Sequence, residues 1–453
     1  MQQHEHWSNR FAFLMASIGA AVGLGNIWKF PYTLGSSGGS GFLIVYLFAV
    51  ILIAAPIMVA EMVIGREGKQ SAPNSMRVLA ERYRATRLWA WVGWMGLLGS
   101  FIVLSFYSVI AGWAMDYIFK SASGALEGLT PGGSAAVFDH VLSSPVEMAI
   151  WHFLFMASTV FIVGRGIKSG IEKAVNWMMP ALFMMLVGLV IYAAIEGDFA
   201  AAVDYLFTPD FSKITPGVAL AAVGQAFFSL SVGFGMILTY ASYLPEDVSL
   251  PRSTFIIAAG DTLVAVLAGL AMFPIIFAHG LDPAAGPGLL FVTMSTAFGQ
   301  MAGGTFVATA FFVLIFVAAL TSSIAILETM TARAEESAGL PRPRAAALVG
   351  GGAFILGLAT VFSFNVWQDV RPLGFLEAFE TKSIFDVLDY SVTNVLLPLG
   401  GMLFSIFAGW VMSRDSTVKE LGLGDGFAYK AWLFLARIVA PVAVGIVFIA
   451  NLR

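Results

Sequence analysis

"GAAVGLGNIWKFPY", residues 19–32, sits inside the first long apolar stretch of the chain. Hydropathy alone would thread one membrane helix through it. Three glycines, an asparagine, a lysine and a proline fall within those residues, and glycine and proline both weaken a helix interior. What a membrane segment gains from breakers at its centre is the question this stretch poses.

Composition sets the environment. Of 453 residues, 58% are hydrophobic and only 11% charged, too little polar surface to coat a soluble globule of this size. A spanning helix needs roughly 20 mainly apolar residues. Eleven such stretches are read at 11–35, 41–65, 88–118, 147–163, 172–195, 217–243, 254–278, 304–330, 345–363, 385–412 and 431–451. The absence of cysteine excludes disulfides, thiol catalysis, iron–sulfur ligation and Cys-ligated zinc. A net charge of −4 argues against nucleic acid as a partner. The N-terminal "MQQHEHWSNR" lacks a basic leader region and a small-residue cleavage site, so the first stretch reads as a retained helix.

Loop charges give an orientation. With the N-terminus cytoplasmic, 17 of the 24 lysines and arginines lie in inside segments and five outside, while Lys29 and Arg437 fall within spans. That asymmetry obeys the positive-inside rule and, over eleven spans, places the C-terminus outside. The expected location is the cell's inner (plasma) membrane. Because the loops are short, function is expected among the helices.

The opening stretch has an echo. Val22-Gly23-Leu24-Gly25 in the first span matches Val232-Gly233-Phe234-Gly235 in the sixth. Each would begin a five-helix half, 1–195 and 196–413, with 414–453 as a peripheral eleventh span. Five being odd, the halves enter the membrane from opposite sides. Glycine-interrupted first helices in corresponding positions of an inverted repeat point to a transporter site near the midplane. Two rivals exist. Gly19-x-x-x-Gly23 also suits close helix packing, and Gly19-A-A-V-Gly23-L-Gly25 fits the spacing of a dinucleotide-binding turn, which however needs a preceding strand and a βαβ unit. Two matched clusters, one carrying Asn26, favour broken helices. No His, Ser or metal constellation in the spans supports an enzyme.

Breaking a helix frees backbone N–H and C=O groups that hydrocarbon cannot satisfy. Half-helix N-termini then suit a carboxylate, and half-helix C-termini suit Na⁺ or an ammonium group. A site offering both is built for an amino acid together with sodium.

Further motifs sharpen this reading. "GLGNIWKFPY", "GGSGFLIVY" with Glu61 and Gly65-Arg66, "GQAFFSLSVGFGMILTYASY" (224–243), "QMAGGTF" (300–306) and "ALTSSIAI" (319–326) resemble the neurotransmitter:sodium symporter family. The similarity runs through ten spans and is nearest to bacterial multi-hydrophobic amino acid transporters. It implies an all-α membrane protein with a 5+5 inverted-repeat, leucine-transporter-like fold, eleven transmembrane helices, and spans 1 and 6 broken at mid-membrane.

The resemblance also implies residue roles. One sodium would bind the Ala21 carbonyl, Asn26, Ser229, Asp261 and the substrate carboxylate. A second would use the carbonyls of Gly19, Val22 and Ala318 with the hydroxyls of Thr321 and Ser322, although such hydroxyls often bond back to their own helix. The substrate carboxylate would meet the N–H groups of Leu24 and Gly25 and the Tyr107 hydroxyl. Its ammonium would meet the carbonyls of Ala21 and Phe228 and the hydroxyl of Ser231. Gly23, where monoamine carriers place an aspartate, favours amino acids. Val103, Phe228, Phe234, Ser323 and Ile326 would line a side-chain pocket without charge, so neutral aliphatic and aromatic substrates are expected. Chloride-dependent members bind Cl⁻ near positions matching Tyr46, Gln225, Ser229 and Ala265; here Asp261 would supply the negative charge, and no chloride is expected. Asp261 is also a candidate to carry a proton back once sodium leaves. For gates, Lys29 and Asp389 stand at the outer latch, with Phe228 over Tyr107 as a thin lid. Trp7, Ser242 and Tyr243 would close the inner mouth, with Glu336 as acidic partner and His4 in place of the usual arginine. Glu61 would satisfy amides freed in span 6, and Gly170 and Pro180 would bracket a segment of span 5 able to unwind. The expected function is sodium-coupled import of hydrophobic L-amino acids; the alternative is a sensor or uncoupled facilitator using the same site.

Overall fold

The computed structural model describes residues 6–451 other than Ala285 and Pro287; His4 lies outside the described residues. Among them the regular structure is helical. In chain order the main helices are α1 (Arg10–Ala21), α2 (Gly25–Ser36), α3 (Ser40–Gly68), α4 (Ala72–Arg82), α5 (Arg87–Ala122), α6 (Pro131–Ser143), α7 (Pro145–Gly164), α8 (Ile167–Glu196) and α9 (Phe199–Phe207). They continue as α10 (Pro216–Ser229), α11 (Met236–Ser242), α12 (Leu250–Ala278), α13 (Leu289–Gln300), α14 (Gly304–Ala338), α15 (Arg342–Ser363), α16 (Ile384–Val411), α17 (Arg414–Leu421) and α18 (Phe427–Asn451). Among the described residues nine helices are long and apolar enough to cross a membrane, ten if α1 and α2 count as one bent span. The sequence reading gave eleven. The difference is the stretch 217–243, which is no single helix but α10 and α11, neither long enough to cross alone.

The ends of these helices follow local chemistry. The Asn9 side chain accepts from the Ala12 N–H at 2.9 Å and starts α1, as an N-cap should. Thr215 does the same for Val218 at 3.2 Å, with Pro216 in the first turn of α10, where its missing N–H costs nothing. α1 stops when Val22 turns extended, and α2 leaves at 49° to it.

Burial separates centre from periphery. In α14 83% of the apolar window is buried and in α5 78%, against 22% in α18. α14 packs on α1, α5, α7, α8 and α15 and forms the axis of the bundle. Large apolar side chains such as Phe48, Trp177, Phe255, Leu348 and Ile446 lie exposed on outer helix faces, a surface suited to lipid rather than water. With its multiple apolar helices, this is a multi-pass membrane protein.

Candidate functional site

The break between α1 and α2 faces the break between α10 and α11. Residues 230–235 of the second break carry three positive φ values, at Ser231 (52°), Gly233 (101°) and Gly235 (73°). Gly233 is demanded twice over, since a Cβ there would also lie 2.3 Å from the Leu397 carbonyl oxygen. The amide this turn frees is met by a buried acid: Glu61 Oε1 accepts from the Gly233 N–H at 2.5 Å.

Around the two breaks lie two oxygen-rich clusters. In the first, Asp261 is fully buried. Its Oδ1 accepts from Asn26 Nδ2 at 2.7 Å, and its Oδ2 accepts from the hydroxyls of Ser229 at 2.6 Å and Tyr46 at 3.4 Å. Asn26 Nδ2 also reaches Ser229 Oγ at 2.9 Å, while Asn26 Oδ1 takes the freed Gly23 N–H at 3.1 Å. The expected trio Asn26, Ser229 and Asp261 is thus assembled, with the amide nitrogen facing the carboxylate. The reason is elementary: the carboxylate needs donors, and the oxygen of Asn26 has a backbone N–H to satisfy. Gln225 donates through Nε2 to the Gly25 carbonyl at 2.8 Å.

In the second cluster Ser322 Oγ lies 3.2 Å from the Gly19 carbonyl oxygen and 2.9 Å from that of Val22, and Thr321 Oγ1 lies 3.0 Å from that of Ala318. All five residues named from the sequence are brought together, drawn from helices more than 290 residues apart. Between the clusters the Tyr107 hydroxyl accepts from the Leu24 N–H at 3.2 Å, and Ser231 Oγ points to the Ala20 carbonyl at 3.5 Å. Phe234 packs its ring beside Gly99, and Val103 and Ile326 are buried. Ser323 behaves differently from its neighbours. Its hydroxyl meets the Leu320 carbonyl and, at 2.9 Å, Thr159 Oγ1 of α7.

A cavity of about 570 Å³ lies over this layer, lined by Leu24, Tyr107, Phe228, Trp28, Lys29 and Asp389 among others. Lys29 and Asp389 share it, as expected for a latch, yet the Lys29 ammonium sits 4.1 Å over the Phe228 ring and forms no ion pair with Asp389. Phe228 and Tyr107 both wall the cavity floor.

At the opposite end, Trp7 donates through Nε1 to the Tyr240 carbonyl at 3.0 Å and packs edge-on against Tyr240 and Tyr243. Ser242 bonds back to Thr239. The acid that meets Tyr243 is Glu328, at 2.8 Å, which also pairs with Arg342. Glu336, expected as the acidic partner at the inner mouth opposite His4, which lies outside the described residues, holds the start of α4, accepting from the Ser71 N–H at 2.6 Å and from Asn74 at 2.8 Å. The two acids lie about two helical turns apart on α14, Glu328 inside the bundle and Glu336 at its mouth. Sequence reading missed the Glu328–Arg342 pair, although an acid within the apolar stretch 304–330 was signal enough. Glu172 of α8 was missed too; it accepts from the Ser8 N–H at 3.2 Å and ties the N-terminal segment to the stretch between Gly170 and Pro180.

Glu328 is fully buried and Arg342 largely so; without the Glu328 charge Arg342 still keeps Glu335 at 3.0 Å, so the cost falls toward the low end of the about 3–5 kcal/mol for breaking a buried pair from one side. Glu328→Gln is therefore expected to lower the melting temperature and loosen this end of the bundle. Since the chain has no cysteine, a single Ser242→Cys reports access without background. Thiol labelling there should rise severalfold in the Glu328→Gln background; unchanged labelling would mean that the pair does not hold this end closed.

Interrupted helices around buried oxygen clusters, within an all-helical multi-pass bundle, define a membrane transporter. The chain belongs to the sodium:neurotransmitter symporter family, whose model matches residues 4–130 and 139–452. It is 36% identical over 452 residues to an uncharacterized sodium-dependent transporter, YhdH, of Bacillus subtilis, covering 99% of this chain and 98% of that one. An uncharacterized sodium-dependent transporter of Methanocaldococcus jannaschii is 30% identical, with 97% and 89% covered. Among solved structures, that of MhsT in complex with L-phenylalanine matches with a TM-score of 0.90, 39% identity and 99% of both chains. A sodium-dependent transporter is thereby established, and an enzyme is not the class to which it belongs.

Proposed function

We propose that this protein imports neutral hydrophobic L-amino acids, aliphatic and aromatic, in symport with two sodium ions and without chloride, by alternating access around the paired breaks. The observation that carries the reading is the convergence of both oxygen clusters with the Leu24 N–H and Tyr107 hydroxyl in one buried layer. The MhsT match, solved with phenylalanine, supports an amino-acid substrate.

The first sodium binds among the Ala21 carbonyl, Asn26, Ser229, Asp261 and the substrate carboxylate, which couples ion to cargo. For this the Asn26 amide turns over, exchanging its nitrogen for its oxygen toward Asp261. The second sodium takes the place of the hydrogen bonds that Ser322 makes to the Gly19 and Val22 carbonyls, the hydroxyl turning its oxygen to the ion and keeping its proton, with Ala318 and Thr321 completing an oxygen-only shell suited to a hard cation. The carboxylate takes the amides of Leu24 and Gly25 together with Tyr107; the ammonium takes the carbonyls of Ala21 and Phe228 and the Ser231 hydroxyl. Asp261 supplies a fixed negative charge where other members would need chloride. Residues 1–195 and 196–413 form the two inverted halves and α18 is peripheral, giving eleven crossings with spans 1 and 6 broken. The site lies in the inner (plasma) membrane with the N-terminus cytoplasmic.

Reconstituted in liposomes under an inward sodium gradient, with gluconate replacing chloride, the protein should accumulate radiolabelled leucine and phenylalanine. Uptake that merely equilibrates, or that proceeds without sodium, would replace coupled symport by facilitation or sensing.

A further inference from the structure

Ser323 stands one residue from Ser322 and three from Ile326 on α14, at the edge of the proposed side-chain pocket, yet its hydroxyl is turned out of it. Ser323 Oγ lies 2.9 Å from the Leu320 carbonyl oxygen and 2.9 Å from Thr159 Oγ1, and Thr159 Oγ1 lies 3.2 Å from the Phe155 carbonyl oxygen. Thr159 and Ser323 are both fully buried. Two hydroxyls have two protons between them. Run in one direction, Thr159 donates to Ser323 and Ser323 to Leu320; in the other, Ser323 donates to Thr159 and Thr159 to Phe155. Either way both protons end on oxygen within the protein, and no donor is left for a ligand.

We infer that Thr159 is a specificity-determining positioning residue: by holding the Ser323 hydroxyl toward α7 it makes this wall of the substrate pocket apolar. The inference rests on the symport reading above. It accounts for how a pocket that includes a serine favours hydrocarbon side chains. A polar group facing an apolar ligand without a partner would be penalised on every binding event, and Thr159 removes that penalty in advance. Thr159 comes from a helix that contributes no other residue to the proposed site, so sequence patterns around the two breaks could not reveal it.

The test is an isosteric exchange. In Thr159→Val a methyl carbon takes the place of Oγ1, 2.9 Å from Ser323 Oγ, closer than the ~3.3 Å at which carbon and oxygen settle even in weak hydrogen bonds. Ser323 must give up its present contact with α7, and its hydroxyl is then expected to turn toward the pocket. Competition against radiolabelled leucine uptake should then show tyrosine and threonine gaining about five- to tenfold on phenylalanine and valine, the worth of one hydrogen bond. Thr159→Ser should keep the wild-type ranking, since it retains the hydroxyl. Ser323→Ala should remove the shift when combined with Thr159→Val. A defect of folding would lower uptake of all substrates together and leave their ratios intact. Wild-type ratios in an active Thr159→Val protein, or a shift that persists with Ser323→Ala, would overturn the inference. Absence of sodium-driven uptake in the wild type would instead overturn the symport reading.

Discussion

Asp261→Asn is expected to cut sodium-driven uptake in chloride-free medium at least a hundredfold. Asp261 is the charged member of the first cluster, fully buried and holding Asn26, Ser229 and Tyr46 through its two oxygens. A cation at about 4 Å from such a carboxylate gains roughly 4 kcal/mol even at an effective dielectric of 20, close to a thousandfold in affinity. Asparagine keeps the shape and removes the charge. Sodium-dependent uptake in gluconate medium reads the effect, and substrate binding at saturating sodium controls for folding. Asp261→Ser, made in parallel, should recover part of the activity only when chloride is supplied, since a small anion can then take the place of the carboxylate. Full chloride-free activity in Asp261→Asn would show that the charge is not the protein's contribution to coupling.

Gly23→Ala should be nearly as damaging, by a different route. A Cβ at this position would lie 2.5 Å from Ser322 Oγ and 2.7 Å from the Tyr107 hydroxyl, far inside any tolerated contact. Those two groups serve the second oxygen cluster and the Leu24 amide respectively. One methyl group therefore displaces both, and substrate affinity should fall by well over tenfold with a parallel rise in the sodium concentration needed for half-maximal uptake. Gly188→Ala is the control, because nothing lies within 4 Å of the added carbon. Equal effects of the two substitutions would mean a general cost of altering glycine in these helices, and a wild-type Gly23→Ala would remove Gly23 from the site.

The sequence carried far into this molecule because its main signals are local. Apolar length announces a helix that can cross a membrane, and the clusters Gly19–Pro31 and Ser231–Gly235 announce where helices stop, since lack of a Cβ or an N–H acts on the residue's own backbone. The family resemblance marked Glu61 as the partner of amides freed in the second break, where it holds Gly233. Buried polar residues in apolar stretches were equally legible, because such groups need a reason to be there.

Partner choice was not local. Asn26 could be placed beside Asp261 from its motif, but which end of its amide faces the carboxylate depends on the competing Gly23 N–H. Lys29 was set against Asp389 by the family resemblance, whereas its ammonium lies over the Phe228 ring. Glu336 and Glu328 lie about two turns apart on α14, and only the packing of that helix assigns Tyr243 and Arg342 to Glu328. Thr159 had no signal at all, for its role exists only through contact with Ser323, 164 residues away. The sequence alone determined a multi-pass membrane bundle and the stretches in which its helices carry breakers. The tertiary structure decided which atom of each residue faces which, because a hydrogen bond is set by distance and direction across helices, and neither is written in the spacing of residues along one chain.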